Sequence, residues 1–161
     1  MRHFLALMLF GVIAACSSAD AAENGVIARQ ALADPALPSV LVYKSPTCGC
    51  CNGWVDHMEA AGFAVDARNT TDLMTVKRDG GVPPHMSSCH TAIIDGYVVE
   101  GHVPAEQVKE LLAARPSIAG IAVPGMPVGS PGMEGPNARP YQVLSFTHSG
   151  EAQVFATVDP R

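Results

Sequence analysis

The sequence predicts an α/β domain built on one mixed sheet, and three observations carry that prediction. An apolar run, Val40-Leu41-Val42-Tyr43, ends in the turn Ser45-Pro46-Thr47 and hands over to residues with helical spacing. The pair Asp95-Gly96 separates the strand-like segments Thr91–Ile94 and Tyr97–Glu100, as a two-residue hairpin requires. Strand-like and helical periods alternate from Val40 to Arg115, and no larger repeat or second domain interrupts them.

Each element follows from local chemistry. Val40–Tyr43 reads as a buried strand. A helix is expected from about Cys50 to Ala61, with Cys51, Val55 and Met58 on one stripe and Gly62 ending it. Phe63–Arg68 alternates like a strand with Phe63, Val65 and Ala67 on one face. Thr71–Arg78 is a second helix, capped by Thr70 or Thr71. Gly80–Ser88 is a loop, and the Asp95-Gly96 hairpin follows. Pro104 suits the first position of a helix that stops at Arg115, before Pro116. The order β-α-β-α-β-β-α matches a thioredoxin-like fold. Beyond it come a Gly/Pro/Met segment, Ala122–Pro140, and a last hairpin of Tyr141–Phe146 and Gln153–Val158 turning at Ser149-Gly150.

The chain has 161 residues and a formal charge of -5, which suits one domain with a sizeable core and gives no reason to expect nucleic acid. Residues 1–15 read as an export signal: Arg2 and His3 precede the apolar run Phe4–Ile13, too short for a comfortable bilayer span. Ile13-Ala14-Ala15-Cys16 has the form of a bacterial lipobox, which makes Cys16 a lipidation candidate; cleavage after Ala21 is the alternative. Residues 16–39 read as a tether, with a short helix over Val26–Leu32 ended by Pro35 and Pro38. Residues 40–161 are the folded domain. Export places it in a periplasm, an oxidising compartment, with membrane contact only through the lipid anchor.

With Cys16 set aside, Cys48, Cys50, Cys51 and Cys89 remain. Three crowd into Cys48-Gly49-Cys50-Cys51 at the first strand-to-helix junction, and the adjacent pair cannot bridge without strain. Two relaxed disulfides are therefore not expected. A thioredoxin-type pair needs only Cys48 and Cys51, so a structural disulfide between them with two spare thiols is the plain alternative. Spare thiols beside a disulfide invite exchange, which argues for a soft-metal site instead.

The hairpin sharpens this. With Asp95-Gly96 as the turn, Ile94 pairs with Tyr97 and counting outward sets Cys89 opposite His102, about 5 Å apart at Cβ. Both then lie at the sheet end that carries the first helix's N-terminus and its three cysteines. Helix amides there favour thiolate, the form that binds metal. Thioredoxins place a cis-proline just before the third strand; here Cys89-His90-Thr91 occupies that place.

Thiolates select Cu(I), while Cys/His sets also suit Zn(II), and bridging thiolates allow more than one Cu(I) ion. The candidate ligands are Cys48, Cys50, Cys51, Cys89, His90 and His102. His90 faces away from Cys89 along a regular strand, so it joins only where the backbone is irregular. His85 and Met86 lie in a nearby loop, and Met126 and Met133 could add thioethers or a lid. His57 lies about two helical turns, roughly 10 Å, from Cys50 and reads as a surface residue. Met58 reads as core and His148 as solvated.

With these residues in place, the chain resembles the CopG-like periplasmic copper-resistance proteins, long catalogued as a domain of unknown function. The resemblance runs through Ser45-Pro46-Thr47-Cys48-Gly49-Cys50-Cys51, Trp54, His57-Met58 and Gly62-Phe63. It resumes at Ser88-Cys89-His90-Thr91, Asp95-Gly96-Tyr97 and Glu100-Gly101-His102-Val103-Pro104, and ends with Arg115-Pro116 and Ala122–Glu134. It implies a thioredoxin-like fold that binds a copper cluster through the cysteines and interconverts Cu(I) and Cu(II) during detoxification. Cys48, Cys50, Cys51 and Cys89 carry over directly.

Three function classes follow. The first is a periplasmic copper-binding protein with copper ions and copper-export or copper-oxidase proteins as partners. Any turnover would be copper oxidoreductase chemistry, not that of a hydrolase or transferase. The second is a thiol–disulfide oxidoreductase using Cys48 and Cys51, and the third a zinc-stabilised interaction module.

Overall fold

The computed structural model describes residues 33–161. The export signal, Cys16, both cleavage sites and the expected helix over Val26–Leu32 lie outside the described residues. Strand β1 (Val40–Lys44) leads into helix α1 (Gly49–Ala60), strand β2 (Val65–Asn69) and helix α2 (Leu73–Asp79). A 3-10 turn over Pro84–Met86 precedes the hairpin β3 (His90–Ile94) and β4 (Tyr97–Glu100). Helix α3 (Ala105–Ala114), β5 (Gly120–Ala122), β6 (Tyr141–Phe146) and β7 (Ala152–Val158) complete the chain.

The strands form one sheet in the order β2-β1-β3-β4-β5-β6-β7. β1 runs parallel to β2 and antiparallel to β3, and Ile94 pairs with Tyr97 across the hairpin as the turn chemistry predicts. The first seven elements thus follow the thioredoxin-like order. Successive residues of β4 serve opposite faces. Val99 joins a cluster with Trp54, Met58, Phe63 and Leu111, whereas Val98 joins Val82, Met86 and Phe146. Helices α1 and α3 cover the first face, and the α2 end of the chain covers the second.

Several expected details move. Helix α2 starts at Leu73, and its cap is Asp72, whose carboxylate accepts from the Thr75 amide at 3.1 Å. Thr70 instead accepts from the Asp72 amide, and Thr71 caps nothing. Pro104 is the capping residue of α3, one position before the helix. β2 is an edge strand: Phe63 is core but lies ahead of it, Val65 is half-buried and Ala67 is exposed. Asp34 donates its amide to the Gly62 carbonyl at 2.8 Å, so residues just ahead of the domain rest on the end of α1. Among the described residues no helix is long and apolar enough to cross a membrane.

Strand β5 was not foreseen, because three residues give too short a period to register. It pairs parallel with β4 and antiparallel with β6, and so joins the terminal hairpin to the sheet. Gly120 makes this possible. A Cβ there would lie 2.0 Å from the Val98 carbonyl oxygen and 2.9 Å from the Phe146 ring. Gly120→Ala is expected to cost roughly 2 kcal/mol or more, by forcing β5 away from β4. Thermal unfolding of the two proteins checks this, and an unshifted midpoint would mean that the hairpin is seated by other contacts.

Candidate metal centre

α1 begins where β1 and its turn end, and that junction delivers the first three sulfurs. Cys48 is the capping residue in extended conformation, with Gly49 and Cys50 in the first turn. Cys48 and Cys51 are joined as a disulfide, whereas Cys50 and Cys89 are free and half-buried. The plain alternative reading of the cysteines is therefore the state the structure holds. A CxxC spacing at a helix start brings its two sulfurs to bonding distance without help from the rest of the fold.

The fourth sulfur arrives from the adjacent strand, at the same end of the sheet. Cys89 precedes β3, and its Sγ lies 3.4 Å from that of Cys51. Cys50 Sγ is 3.5 Å from that of Cys48. All four sulfurs lie within 4.8 Å of one another, the convergence that the hairpin register implied. His102 sits opposite Cys89, and its Nε2 is 2.9 Å from Cys89 Sγ.

His90 departs from expectation. It is fully buried, its Nδ1 is 3.4 Å from Cys89 Sγ, and Cys89, His90 and His102 form a second group of donors within 4.8 Å. The backbone is irregular here: β4 ends at Glu100, and Gly101 takes a φ of 72° before His102. The His90 ring packs 4.5 Å from that of Trp54 and edge-on to His102 at 5.0 Å. Its Nε2 is buried with no hydrogen-bond partner. Trp54 itself donates Nε1–H to the Val103 carbonyl at 2.8 Å, which locks the ring under the site.

A buried polar network behind Cys89 was not read from the sequence. Glu100 Oε1 accepts from the Ser88 amide at 2.6 Å and from Lys77 Nζ at 2.5 Å, and Oε2 accepts from Thr91 Oγ1 at 2.7 Å. Both charged groups are almost fully buried. This carboxylate fixes the backbone immediately before Cys89. A carboxylate closing an otherwise apolar strand was the available signal, since a buried charge needs a partner.

The Gly/Pro/Met segment covers the other flank. The His102 Nδ1–H donates to the Pro131 carbonyl at 2.7 Å, and Gly132 packs against the first turns of α1. Met133 is half-buried and Met126 exposed. Met86 and Met58 are core. His85 and His148 line a separate cleft of about 640 Å³. His57 is half-buried rather than a surface residue: its Nε2 accepts from the Ala105 amide at 3.0 Å and so caps α3.

Burial, reinforced by neighbouring Cys50, pushes the Cys89 thiol up to about 11, so it stays protonated until a cation displaces the proton. Cys89 lies across from the helix N-terminus and not on it. Burial also lowers His57, His90 and His102 below the ordinary 6.5, with Glu134 partly opposing this at His57. The fold thus holds three neutral imidazoles that the unfolded chain would protonate near pH 6.5. Their contribution is present above that pH and is lost as pH falls through it. Urea unfolding of metal-free protein is expected to show lower stability at pH 5 than at pH 8, with a shallower pH dependence in His57→Gln. A flat profile would show these rings to be solvated.

The buried pair gives a second test. Glu100→Gln leaves the Lys77 ammonium without its counter-charge and is expected to cost about 3–5 kcal/mol. Lys77→Met on that background should recover much of the loss, as denaturant titration of both variants would show.

Fold and site together define a thioredoxin-like α/β protein in which a CxxC disulfide is joined by two free thiols and two imidazoles, a set of donors that could hold a metal ion. Residues 86–133 match a family model described as a protein of unknown function, DUF411. The chain is also similar to solved structures of a copper resistance protein, CopG, in two forms. Identity is 47% to each, over 76% of this chain and 98% and 99% of theirs, with TM-scores of 0.71 and 0.72. No curated protein matches it. At that identity over nearly the whole of the CopG chain, this protein belongs to the CopG family.

Proposed function

We propose that this protein is a periplasmic copper-binding protein that contributes to copper resistance by holding Cu(I) at the sulfur site. Cys48, Cys50, Cys51 and Cys89 supply thiolates, and His102 and His90 supply nitrogen. The observation that carries the reading is the approach of four sulfurs to within 4.8 Å with a neutral imidazole 2.9 Å from one of them. Soft thiolates at such spacing favour Cu(I), and a bridging thiolate can serve two ions, so the cargo is more than one copper. All four sulfurs bind only after an external dithiol reductant, itself oxidised to a disulfide, has delivered two electrons and two protons that break the Cys48–Cys51 bond into two thiols. Adjoining sulfur-rich and nitrogen-containing donors suit both oxidation states, which supports Cu(I)/Cu(II) interconversion as the protein's redox role. Copper-export or copper-oxidase proteins are the fitting partners, and Cys16 the fitting lipid anchor.

The disulfide favours a second reading, a thiol–disulfide oxidoreductase. Two features oppose it: the free thiols Cys50 and Cys89 lie 3.5 and 3.4 Å from the bonded sulfurs and would trap mixed disulfides, and Cys89-His90-Thr91 stands where a thioredoxin has its substrate-guiding proline. Zinc is the alternative metal for a Cys/His set.

Anaerobic titration of the reduced chain with Cu(I), followed by elemental analysis, separates these. More than one copper per chain is expected, falling in Cys50→Ser; unchanged uptake there would end the multinuclear reading. One zinc and no copper in protein from copper-supplemented periplasm would favour the zinc module. Strong insulin reduction that survives Cys50→Ser and Cys89→Ser would favour the oxidoreductase.

A further inference from the structure

His102 can occupy only one neutral tautomer here. Its Nδ1 lies 2.7 Å from the Pro131 carbonyl, which can only accept, so Nδ1 carries the proton. Nε2 therefore keeps its lone pair, and it points at Cys89 Sγ from 2.9 Å. A nitrogen donor aimed at a sulfur cluster needs this arrangement, and an outer hydrogen bond sets it.

The carbonyl is in turn held by a tightly specified turn. Met133 donates its amide to the Ser130 carbonyl at 2.8 Å, and Gly132 donates its amide to Glu134 Oε1 at 2.7 Å. Gly132 has a φ of 82°, and a Cβ there would lie 2.4 Å from the Cys50 carbonyl and 2.8 Å from the Trp54 amide nitrogen. Across from it, a Cβ on Gly53 would lie 2.9 Å from the Gly132 Cα. Backbone rests on backbone at this point, and a side chain on either residue would lift the turn off α1.

We infer that the 130–134 turn is the positioning device for the site's nitrogen donor. The Pro131 carbonyl fixes His102 as the Nδ1–H tautomer and aims Nε2 at the sulfurs, and Gly132 and Glu134 are the positioning residues that keep the carbonyl there. Neither touches the metal. This rests on the copper reading only for its consequence in affinity, because the tautomer is a property of the metal-free chain.

Two measurements on the reduced full chain test it. Nitrogen NMR of metal-free protein reports which His102 ring nitrogen is protonated, and competition with a Cu(I) chelator reports affinity. Wild type is expected to show Nδ1–H alone. Glu134→Ala removes the acceptor for the Gly132 amide and should give mixed tautomers with about 10–100-fold weaker Cu(I) binding. Glu134→Gln keeps an acceptor and should retain the wild-type tautomer, with affinity within about 3-fold. Gly132→Ala should match Glu134→Ala; should it fail to fold, the Glu134 pair still decides. A wild-type tautomer and affinity in Glu134→Ala would overturn the inference, as would equal losses in Gln and Ala, which would assign the effect to charge. Failure of wild type to bind copper, with the tautomer shift intact, would defeat the copper reading alone.

Discussion

The Glu100 carboxylate is the interaction on which the site's geometry depends. It receives the Ser88 amide, the Thr91 hydroxyl and the Lys77 ammonium, and so ties α2 and the end of β4 to the residue before Cys89. Taking both charges out of water is expensive, and well-packed apolar residues in their place are often no less stable. The network is better understood as a device for placement. It sets a short stretch of extended backbone so that Cys89 meets the first turn of α1, and one sulfur misplaced by an ångström would no longer share a cation with the rest.

Around that anchor the site is assembled from three separate segments. The first helix contributes two bonded sulfurs and one free thiol. The β3–β4 hairpin brings Cys89, His90 and His102 together. The 130–134 turn closes the remaining side through a single carbonyl. Trp54 lies beneath all three, packed on His90 and hydrogen-bonded to Val103. The consequence is a donor set with buried imidazoles and half-buried thiols, in which burial lowers the pKa values of the imidazoles and raises that of the Cys89 thiol.

Comparison with thioredoxin-like redox chemistry is instructive at two residues. A free thiol, Cys50, lies 3.5 Å from Cys48 Sγ, and Cys89-His90 stands where a substrate-guiding proline would be expected. The structure retains a CxxC disulfide, yet it sets two free thiols, Cys50 and Cys89, 3.5 and 3.4 Å from the bonded sulfurs. Opening the disulfide would free two more sulfurs beside the thiols of Cys50 and Cys89.

The cysteine triplet, the Asp95-Gly96 turn and the strand-to-helix handover at Thr47 were legible from the chain alone, because each depends on neighbours in sequence. The pairing of Cys89 with His102 was legible too, since a two-residue turn fixes register by counting. Tertiary structure alone decided the role of Glu100, whose partners lie 9 to 23 residues away. It likewise decided the burial of His90, the capping of α3 by His57, and the seating of Pro131 on His102. These rest on irregular backbone at Gly101 and on glycine contacts between distant segments, and neither leaves a periodic trace in a sequence. Local chemistry named the donors, and long-range packing chose their orientation and protonation.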